Sequence, residues 1–109
     1  MPEKLEIEPR EAHSQLAKGA VLVDVREPEE YAVAEISRSR LIPMQSIPAQ
    51  LQEIEGLSDG ADVFVICHHG VRSLQVVHWL REHGVENCFS VAGGIDRWSQ
   101  EIDPAVPRY

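Results

Sequence analysis

Short apolar runs alternate with segments of helical periodicity along almost the whole chain. Nearly continuous runs rich in β-branched residues predict strands that are covered on both faces. These runs occupy residues 21–25, 40–43, 63–66 and 88–91. Segments with apolar residues at helical spacing, often opened by proline or closed by glycine, predict helices. The first three predicted helices occupy residues 11–18, 29–36 and 47–54. A fourth carries Leu74, Val77 and Leu80 and ends at Gly84, and a fifth follows Gly93-Gly94. An extended tail is predicted from residue 102 onward.

Strands that alternate with helices predict an α/β fold built on a mainly parallel sheet, here as one domain over residues 1–109. Functional sites in such sheets form just beyond the carboxyl ends of the strands. Two predicted strand ends carry charged or reactive residues, namely Asp24-Val25-Arg26 and Cys67-His68-His69-Gly70-Val71-Arg72. We therefore expect the functional site at this edge of the sheet.

The second of these stretches joins a predicted strand to the start of a predicted helix. Backbone N–H groups at such a turn lack partners within the helix, and the helix dipole adds partial positive charge, so the turn binds anions. Cys67 at its entrance gains the same stabilisation as a thiolate, which the permanent charge of Arg72 increases. Gly70 lets the backbone adopt a positive φ and curl around the cysteine. The sequence predicts an activated thiol in an anion-binding loop.

Other side chains of this loop have alternative roles. The N–H groups of His68, His69 and Val71 belong to the loop, while the imidazole rings either add a pH-dependent positive charge or face solvent. Ser73 either hydrogen-bonds the loop sulfur or caps the following helix. No metal site is expected, because structural zinc sites use spaced pairs of ligands, whereas the histidines follow Cys67 directly.

Composition mainly excludes classes of partner. The 109 residues carry a net charge of −8, which argues against nucleic acids and anionic membranes. No apolar run approaches the ~20 residues of a membrane span, and no signal-peptide pattern is visible. Cys67 and Cys88 are expected to be free thiols in a cytoplasmic protein, with Cys88 buried as a small apolar residue.

The order and spacing of these motifs resemble the rhodanese family over nearly the whole chain. The matching stretches are Asp24-Val25-Arg26, the Pro-Glu-Glu-Tyr helix start at residues 28–31, the loop from Cys67 to Ser73, Ala92-Gly93-Gly94-Ile95 with Trp98, and the ending from Asp103 to Tyr109, which is similar to small bacterial stand-alone members. The resemblance implies a rhodanese-like fold, with a central, mainly parallel sheet of about five short strands flanked by helices on both faces.

The same resemblance implies a thiosulfate sulfurtransferase that needs no cofactor. Cys67 and Arg72 are separated by four residues, as in the sulfur-transferring branch, whereas related phosphatases have five. Cys67 would accept a sulfane sulfur from an anionic donor such as thiosulfate as a persulfide, held by the N–H groups of residues 68–72. It would pass that sulfur to a thiol, to cyanide or to a sulfur-relay protein.

Two alternatives remain open at the sequence level. One is a persulfide-carrying binding module that serves a dedicated protein partner. The other is a relative of cysteine-dependent phosphatases or arsenate reductases, which the shorter loop argues against.

The Asp-x-Arg motif has two interpretations. By resemblance, Arg26 binds an anionic donor or braces the loop. Its alternative role is a structural ion pair with Asp24 or Glu27, and Asp24 itself is predicted to be structural.

Residues 34–39 depart from the Gly-His-Ile-Pro-Gly-Ala pattern of the family. The backbone must therefore turn there without the usual glycine and proline. Arg38 and Arg40 add positive charge to this segment, and we hypothesise that they attract an anionic donor at low salt.

Overall fold

A computed structural model describes residues 4–109 of the chain. The strands are β1 (Glu6–Ile7), β2 (Val21–Asp24), β3 (Arg40–Leu41), β4 (Val63–Ile66) and β5 (Cys88–Val91). The helices are α1 (Pro9–Leu16), α2 (Pro28–Val33), α3 (Leu51–Ser58), α4 (Val71–Glu82) and α5 (Gly94–Glu101). Every strand pairing is parallel, and the sheet order is β1-β5-β4-β2-β3, which confirms the predicted α/β class. Within residues 4–109, no helix is long and apolar enough to cross a membrane.

Helices cover both faces of the sheet because successive side chains of a strand point to opposite faces. On one face, Val63 and Val65 of β4 pack in a core with Val77 of α4. On the other face, Phe64 of β4 packs in a core with Ile95 of α5. The unbroken apolar run of β4 thus supplies two cores at once and places Cys67 at a buried strand end.

Strand β1 is the element that the sequence pattern does not predict. Glu6 and Ile7 are too few to form a recognisable apolar run. They pair with Ser90 and Val91 of β5 and complete the five strands.

The predicted helix over residues 47–54 has the wrong bounds. The chain instead makes two 3₁₀ turns, Met44–Ser46 and Pro48–Gln50, and α3 then continues to Ser58. Pro48 suits the first position of a turn, where no N–H is required. Leu51 packs against the core.

The segment after α2 turns by means of a left-handed residue. Helix α2 ends at Val33, three residues earlier than predicted, because Ala34 is extended with φ −153° and ψ 129°. Arg38 then adopts φ 70°. The Ser39 hydroxyl closes the turn by donating to the carbonyl of Ile36 at 2.7 Å. Arg38 thereby takes the conformation that a glycine would adopt most easily.

The tail after α5 is folded back, in contrast to the extended segment that its prolines predict. The N–H of Val106 donates to the carbonyl of Asp103 at 3.1 Å, which makes a turn. Val106 is buried, and its carbonyl accepts a hydrogen bond from the buried Ser99 hydroxyl at 2.6 Å. This anchor directs Tyr109 toward the loop that follows β4.

Candidate active site

The loop between β4 and α4 wraps around a buried cysteine. Cys67 is 1% exposed, and Gly70 before α4 has φ 104°. A Cβ on Gly70 would lie 3.3 Å from the backbone nitrogen of Gly93. Gly70 therefore serves two purposes here, a left-handed conformation and a close approach between two backbones.

The Cys67 sulfur lies among hydrogen-bond donors at the start of α4. The N–H groups of Gly70 and Ser73 donate to Sγ at 3.1 and 3.3 Å. The Ser73 hydroxyl lies 3.3 Å from the same sulfur. Donors fixed in this way stabilise negative charge on sulfur without reorganising. Of the two roles open to Ser73, the structure shows the contact with sulfur and no side-chain cap on α4.

A second buried hydroxyl supports this arrangement from β5. Ser90 is fully buried, and its Oγ lies 2.7 Å from Ser73 Oγ. Ser90 is not among the predicted site residues, because a serine within an apolar strand carries no local signal of a role. The parallel register, which sets Ser90 opposite Val65 of β4, brings it beneath the loop.

The guanidinium of Arg72 is held by an acid from α2. Its Nη1 and Nη2 donate to the two carboxylate oxygens of Glu30 at 2.7 and 2.9 Å. The hydrogen bonds from Arg72 lower the pKa of Glu30 to about 2. The sequence indicates Glu30 only as part of a helix start and does not predict this contact. The positive charge expected beside the loop is present, but it is paired.

Tyr109 covers the loop from the opposite end of the chain. Its ring stacks on the ring of His68 with centroids 3.9 Å apart, and His68 stacks in turn on His69 at the same distance. The Tyr109 hydroxyl donates to Glu30 Oε2 at 2.8 Å. Burial in this stack, together with His69, lowers the pKa of His68 below its usual 6.5. The stack therefore favours the neutral form of His68.

Arg26 and Asp24 form a structural ion pair. Arg26 has no exposed surface, and its Nη2 lies 2.6 Å from Asp24 Oδ2. The same guanidinium donates to the carbonyl of Ala34 at 2.6 Å and to the Tyr109 hydroxyl at 2.8 Å. These contacts match the structural alternative for Arg26 and leave it no surface for a donor. It braces the loop indirectly, through Tyr109 and through the Glu30 carbonyl, to which its Nη1 donates at 3.3 Å.

The first residues of α5 donate hydrogen bonds to carbonyl groups of the loop. The N–H of Ile95 donates to the carbonyl of Cys67 at 2.8 Å, and that of Asp96 donates to the carbonyl of His68 at 3.2 Å. A Cβ on Gly94 would overlap both of those carbonyl groups. The glycine pair that the sequence marks as a tight turn thus lets α5 approach the loop.

Three potential metal ligands lie together at the loop. His68, His69 and Asp96 each bring one ligand atom within 4.8 Å of the other two. The two imidazole planes are only 25° apart, so their lone pairs lie in nearly parallel planes instead of converging. Asp96 already accepts hydrogen bonds from Arg108 at 2.9 Å and Gln100 at 3.0 Å. We therefore assign no metal site to this cluster.

Arg38 and Arg40 lie away from the cysteine. They line a groove whose other residues include Val21 and Leu22, at the amino end of β2. Cys67 follows the carboxyl end of β4, and β2 and β4 are parallel. No residue of the β4–α4 loop lines this groove, which argues against the hypothesis that the two arginines attract a donor to the loop.

Comparison with known proteins identifies the family. The model of the rhodanese-like domain matches residues 8–101, a range that includes the whole β4–α4 loop. The chain belongs to the rhodanese-like family. The crystal structure of SSP1007 from Staphylococcus saprophyticus superposes with a TM-score of 0.77 and 34% identity, covering 90% of this chain and 96% of that one. The parallel sheet and its helices are thus the rhodanese-like fold.

Curated relatives of this rhodanese-like chain are of two sizes. Thiosulfate sulfurtransferase GlpE of Haemophilus influenzae is 36% identical over 109 residues and matches along the full length of both chains. Other relatives are much longer. The chain spans 22% of the adenylyltransferase and sulfurtransferase uba4 of Ogataea parapolymorpha, with 37% identity over 81% of this chain. It spans 30% of a chloroplastic rhodanese-like/PpiC domain-containing protein of Arabidopsis thaliana.

Proposed function

We propose that this rhodanese-like chain transfers a sulfane sulfur from thiosulfate, or a donor of similar charge, to a thiol or cyanide through a persulfide on Cys67. The observation that carries the proposal is the environment of Cys67 Sγ, which accepts two backbone N–H groups and contacts a hydroxyl at 3.1–3.3 Å. A GlpE relative along the whole chain, named as a thiosulfate sulfurtransferase, supports it.

The reaction is a double displacement. The Cys67 thiolate attacks the outer sulfur of thiosulfate, the bond between the two donor sulfurs breaks, and sulfite leaves with the bonding electron pair. The product is the persulfide anion, whose charge lies on the outer sulfur. Cyanide then attacks that sulfur, thiocyanate leaves, and the thiolate returns. Dividing one transfer into two covalent steps predicts ping-pong kinetics.

The donors around the loop would serve both anionic states. Gly70 and Ser73 present N–H groups to Cys67 Sγ, and the first turn of α4 adds its dipole. The remaining N–H groups of residues 68–72 are the proposed donors to the outer sulfur of the persulfide. Arg72 adds positive charge while Glu30 fixes its position.

Intact mass tests the proposal directly. The wild type should gain the mass of one sulfur atom after thiosulfate and lose it after cyanide, with thiocyanate formed. Cys67→Ser should gain nothing, and Cys88→Ser is the matched control, because Cys88 is equally buried and lies outside the loop. A sulfur gain in Cys67→Ser, or none in Cys88→Ser, would contradict the assignment of Cys67.

A persulfide-carrying module is the second candidate, and the paired charge at the loop favours it. Arg72 is occupied by Glu30 and Arg26 by Asp24, so these two cations offer a small dianion little unpaired charge. Relatives such as uba4 carry a matching region within a longer sulfurtransferase. Rapid sulfur uptake from a persulfide-charged cysteine desulfurase, together with slow turnover of thiosulfate and cyanide, would favour this candidate.

The phosphatase alternative predicts hydrolysis of an aryl phosphate, which we do not expect.

A further inference from the structure

Ser90 is a buried polar side chain that the sulfur-transfer scheme leaves without a role. It lies in β5, between β4 and β1, and is fully buried. Its N–H donates to the carbonyl of Leu5 at 2.8 Å, as the ladder requires. Within residues 4–109, the hydrogen bond of its hydroxyl is the one with Ser73 Oγ, at 2.7 Å. Because the Ser90 hydroxyl either donates to Ser73 or accepts from it, this hydrogen bond determines which neighbour the Ser73 proton can reach.

The Ser73 hydroxyl has one proton and three neighbours. They are Cys67 Sγ at 3.3 Å, the Gly70 carbonyl at 3.2 Å and Ser90 Oγ at 2.7 Å. The Gly70 carbonyl already accepts the N–H of Leu74 at 3.1 Å, so it does not depend on Ser73. If Ser90 donates to Ser73, a lone pair of Ser73 is occupied and its proton is free to turn toward the sulfur.

Ionisation of the thiol decides which arrangement is better. A neutral thiol donates its own proton to Ser73 Oγ, and the Ser73 proton then points to the Gly70 carbonyl. A thiolate has no proton to donate, so the Ser73 hydroxyl turns and donates to Sγ. In this second state the Ser90 proton points to Ser73 and polarises its O–H bond, which strengthens the bond to sulfur.

We propose that Ser90 is a positioning residue for sulfur transfer, which donates to Ser73 and thereby directs the Ser73 proton to the anionic sulfur of Cys67. The proposal rests on the proposed function in so far as Cys67 reacts as a thiolate. It joins Ser90 of β5, Ser73 of α4 and Cys67 after β4 in one chain of hydrogen bonds. Ser90 is linked to the sulfur through Ser73, so its effect is exerted through Ser73.

The other titratable or charged side chains around the loop must be the same in every variant. They are Arg72 and the two histidines of the loop, Glu30 of α2 and Asp96 of α5. Ser90→Ala removes one buried hydroxyl and alters none of these groups. The variant is therefore a selective probe of the hydroxyl chain.

The experiment measures the rate at which iodoacetamide alkylates Cys67 as a function of pH, with the site confirmed by peptide mass. The expected result for Ser90→Ala is a rate roughly three- to tenfold lower at neutral pH, the effect of one net hydrogen bond. The plateau rate at high pH should not fall below that of the wild type, because a less stabilised thiolate is at least as strong a nucleophile. A damaged loop that blocks access to the sulfur would lower the plateau rate as well.

Three further variants complete the design. Ser90→Thr restores the hydroxyl and should recover the rate at neutral pH. Ser58→Ala removes an exposed hydroxyl on α3 and should match the wild type. In a Ser73→Ala background, Ser90→Ala should have no further effect, because the two act as one unit. A folded Ser90→Ala protein with the wild-type profile, or full additivity with Ser73→Ala, would overturn the proposal.

The alkylation test of Ser90 and the mass test of the proposed function can fail independently of each other. Alkylation requires no sulfur donor, whereas the mass experiment requires one. If the mass experiment shows no persulfide but Ser90→Ala shifts the alkylation profile, the proposed function fails and the role of Ser90 in stabilising the thiolate stands. If the persulfide forms and the profile does not shift, the role of Ser90 fails alone.

Discussion

Replacing Glu30 by glutamine tests the contact that joins α2 to the loop. Glu30 accepts both terminal nitrogens of Arg72 and also the hydroxyl of Tyr109 at 2.8 Å. Glutamine keeps the size of the side chain but has no charge and only one acceptor oxygen. The substitution therefore weakens a bidentate ion pair without creating a cavity.

The magnitude follows from the electrostatics of this pair. A fall in the pKa of Glu30 from 4.5 to about 2 corresponds to roughly 3 kcal/mol of coupling between the carboxylate and the folded state. The side chains of Arg72 and Glu30 are 33% and 21% exposed, so solvent screens part of this energy. We expect Glu30→Gln to lower the free energy of unfolding at pH 7 by about 1–2 kcal/mol.

The lowered pKa of Glu30 determines how its contribution to stability changes with pH. The pKa of Glu30 is lower in the folded chain than its ordinary value of 4.5. The carboxylate therefore contributes its full stabilisation above that value and loses it as the pH falls toward about 2. The assay is urea unfolding of wild type and variant at several pH values. Their difference in unfolding free energy should be largest at neutral pH and should shrink toward zero in acid.

Glu29→Gln is the matched control. Glu29 is the neighbouring exposed residue in the first turn of α2, and it shares only the helix-dipole contribution. An equal loss of stability in both variants, or a difference for Glu30→Gln that persists unchanged in acid, would refute the reasoning.

Two other changes test the architecture around the loop. Gly94→Ala should cost about 2–4 kcal/mol of unfolding free energy, because its Cβ would overlap the carbonyls of Cys67 and His68. Gly84 also has a positive φ of 95°, but a Cβ added there would meet no other residue within 4 Å. Gly84→Ala should therefore cost only the backbone strain of about 1 kcal/mol. Equal losses of unfolding free energy in urea for the two variants would contradict the close approach at Gly94. Arg38→Glu should change the rate of sulfur uptake from thiosulfate by less than about twofold at physiological salt, since screening removes distant charges. A larger decrease in this rate would support the hypothesis that Arg38 attracts the anionic donor.

Much of the candidate site could be predicted from sequence because it is local. The apolar run of residues 63–66, the cysteine directly after it and a glycine before the next helix lie within a few positions of one another. A strand that must be buried and a turn that needs a positive φ constrain the backbone strongly over this distance. The position of the β4–α4 loop and the left-handed conformation of Gly70 agree with the sequence prediction, whereas the burial of Cys67 was not predicted.

The partners of that loop come from distant parts of the chain. Glu30 is 42 positions from Arg72, and Tyr109 is 79 positions from Glu30. Ser90 reaches Ser73 only because β5 lies beside β4 in parallel register. Such contacts depend on strand order, on helix rotation and on the folding back of the tail, none of which leaves a periodic pattern in the sequence.

The sequence by itself determined the alternation of strands and helices, the edge of the sheet at which the Cys67 loop lies, and the residue types in that loop. Local conformational preferences and burial patterns decide those features. Only the tertiary structure decided that Arg72 is paired, that Arg26 is buried, and that Ser90 of β5 contacts Ser73 beside the sulfur. Those features depend on side chains that meet across elements, where packing of the whole sheet sets the distances.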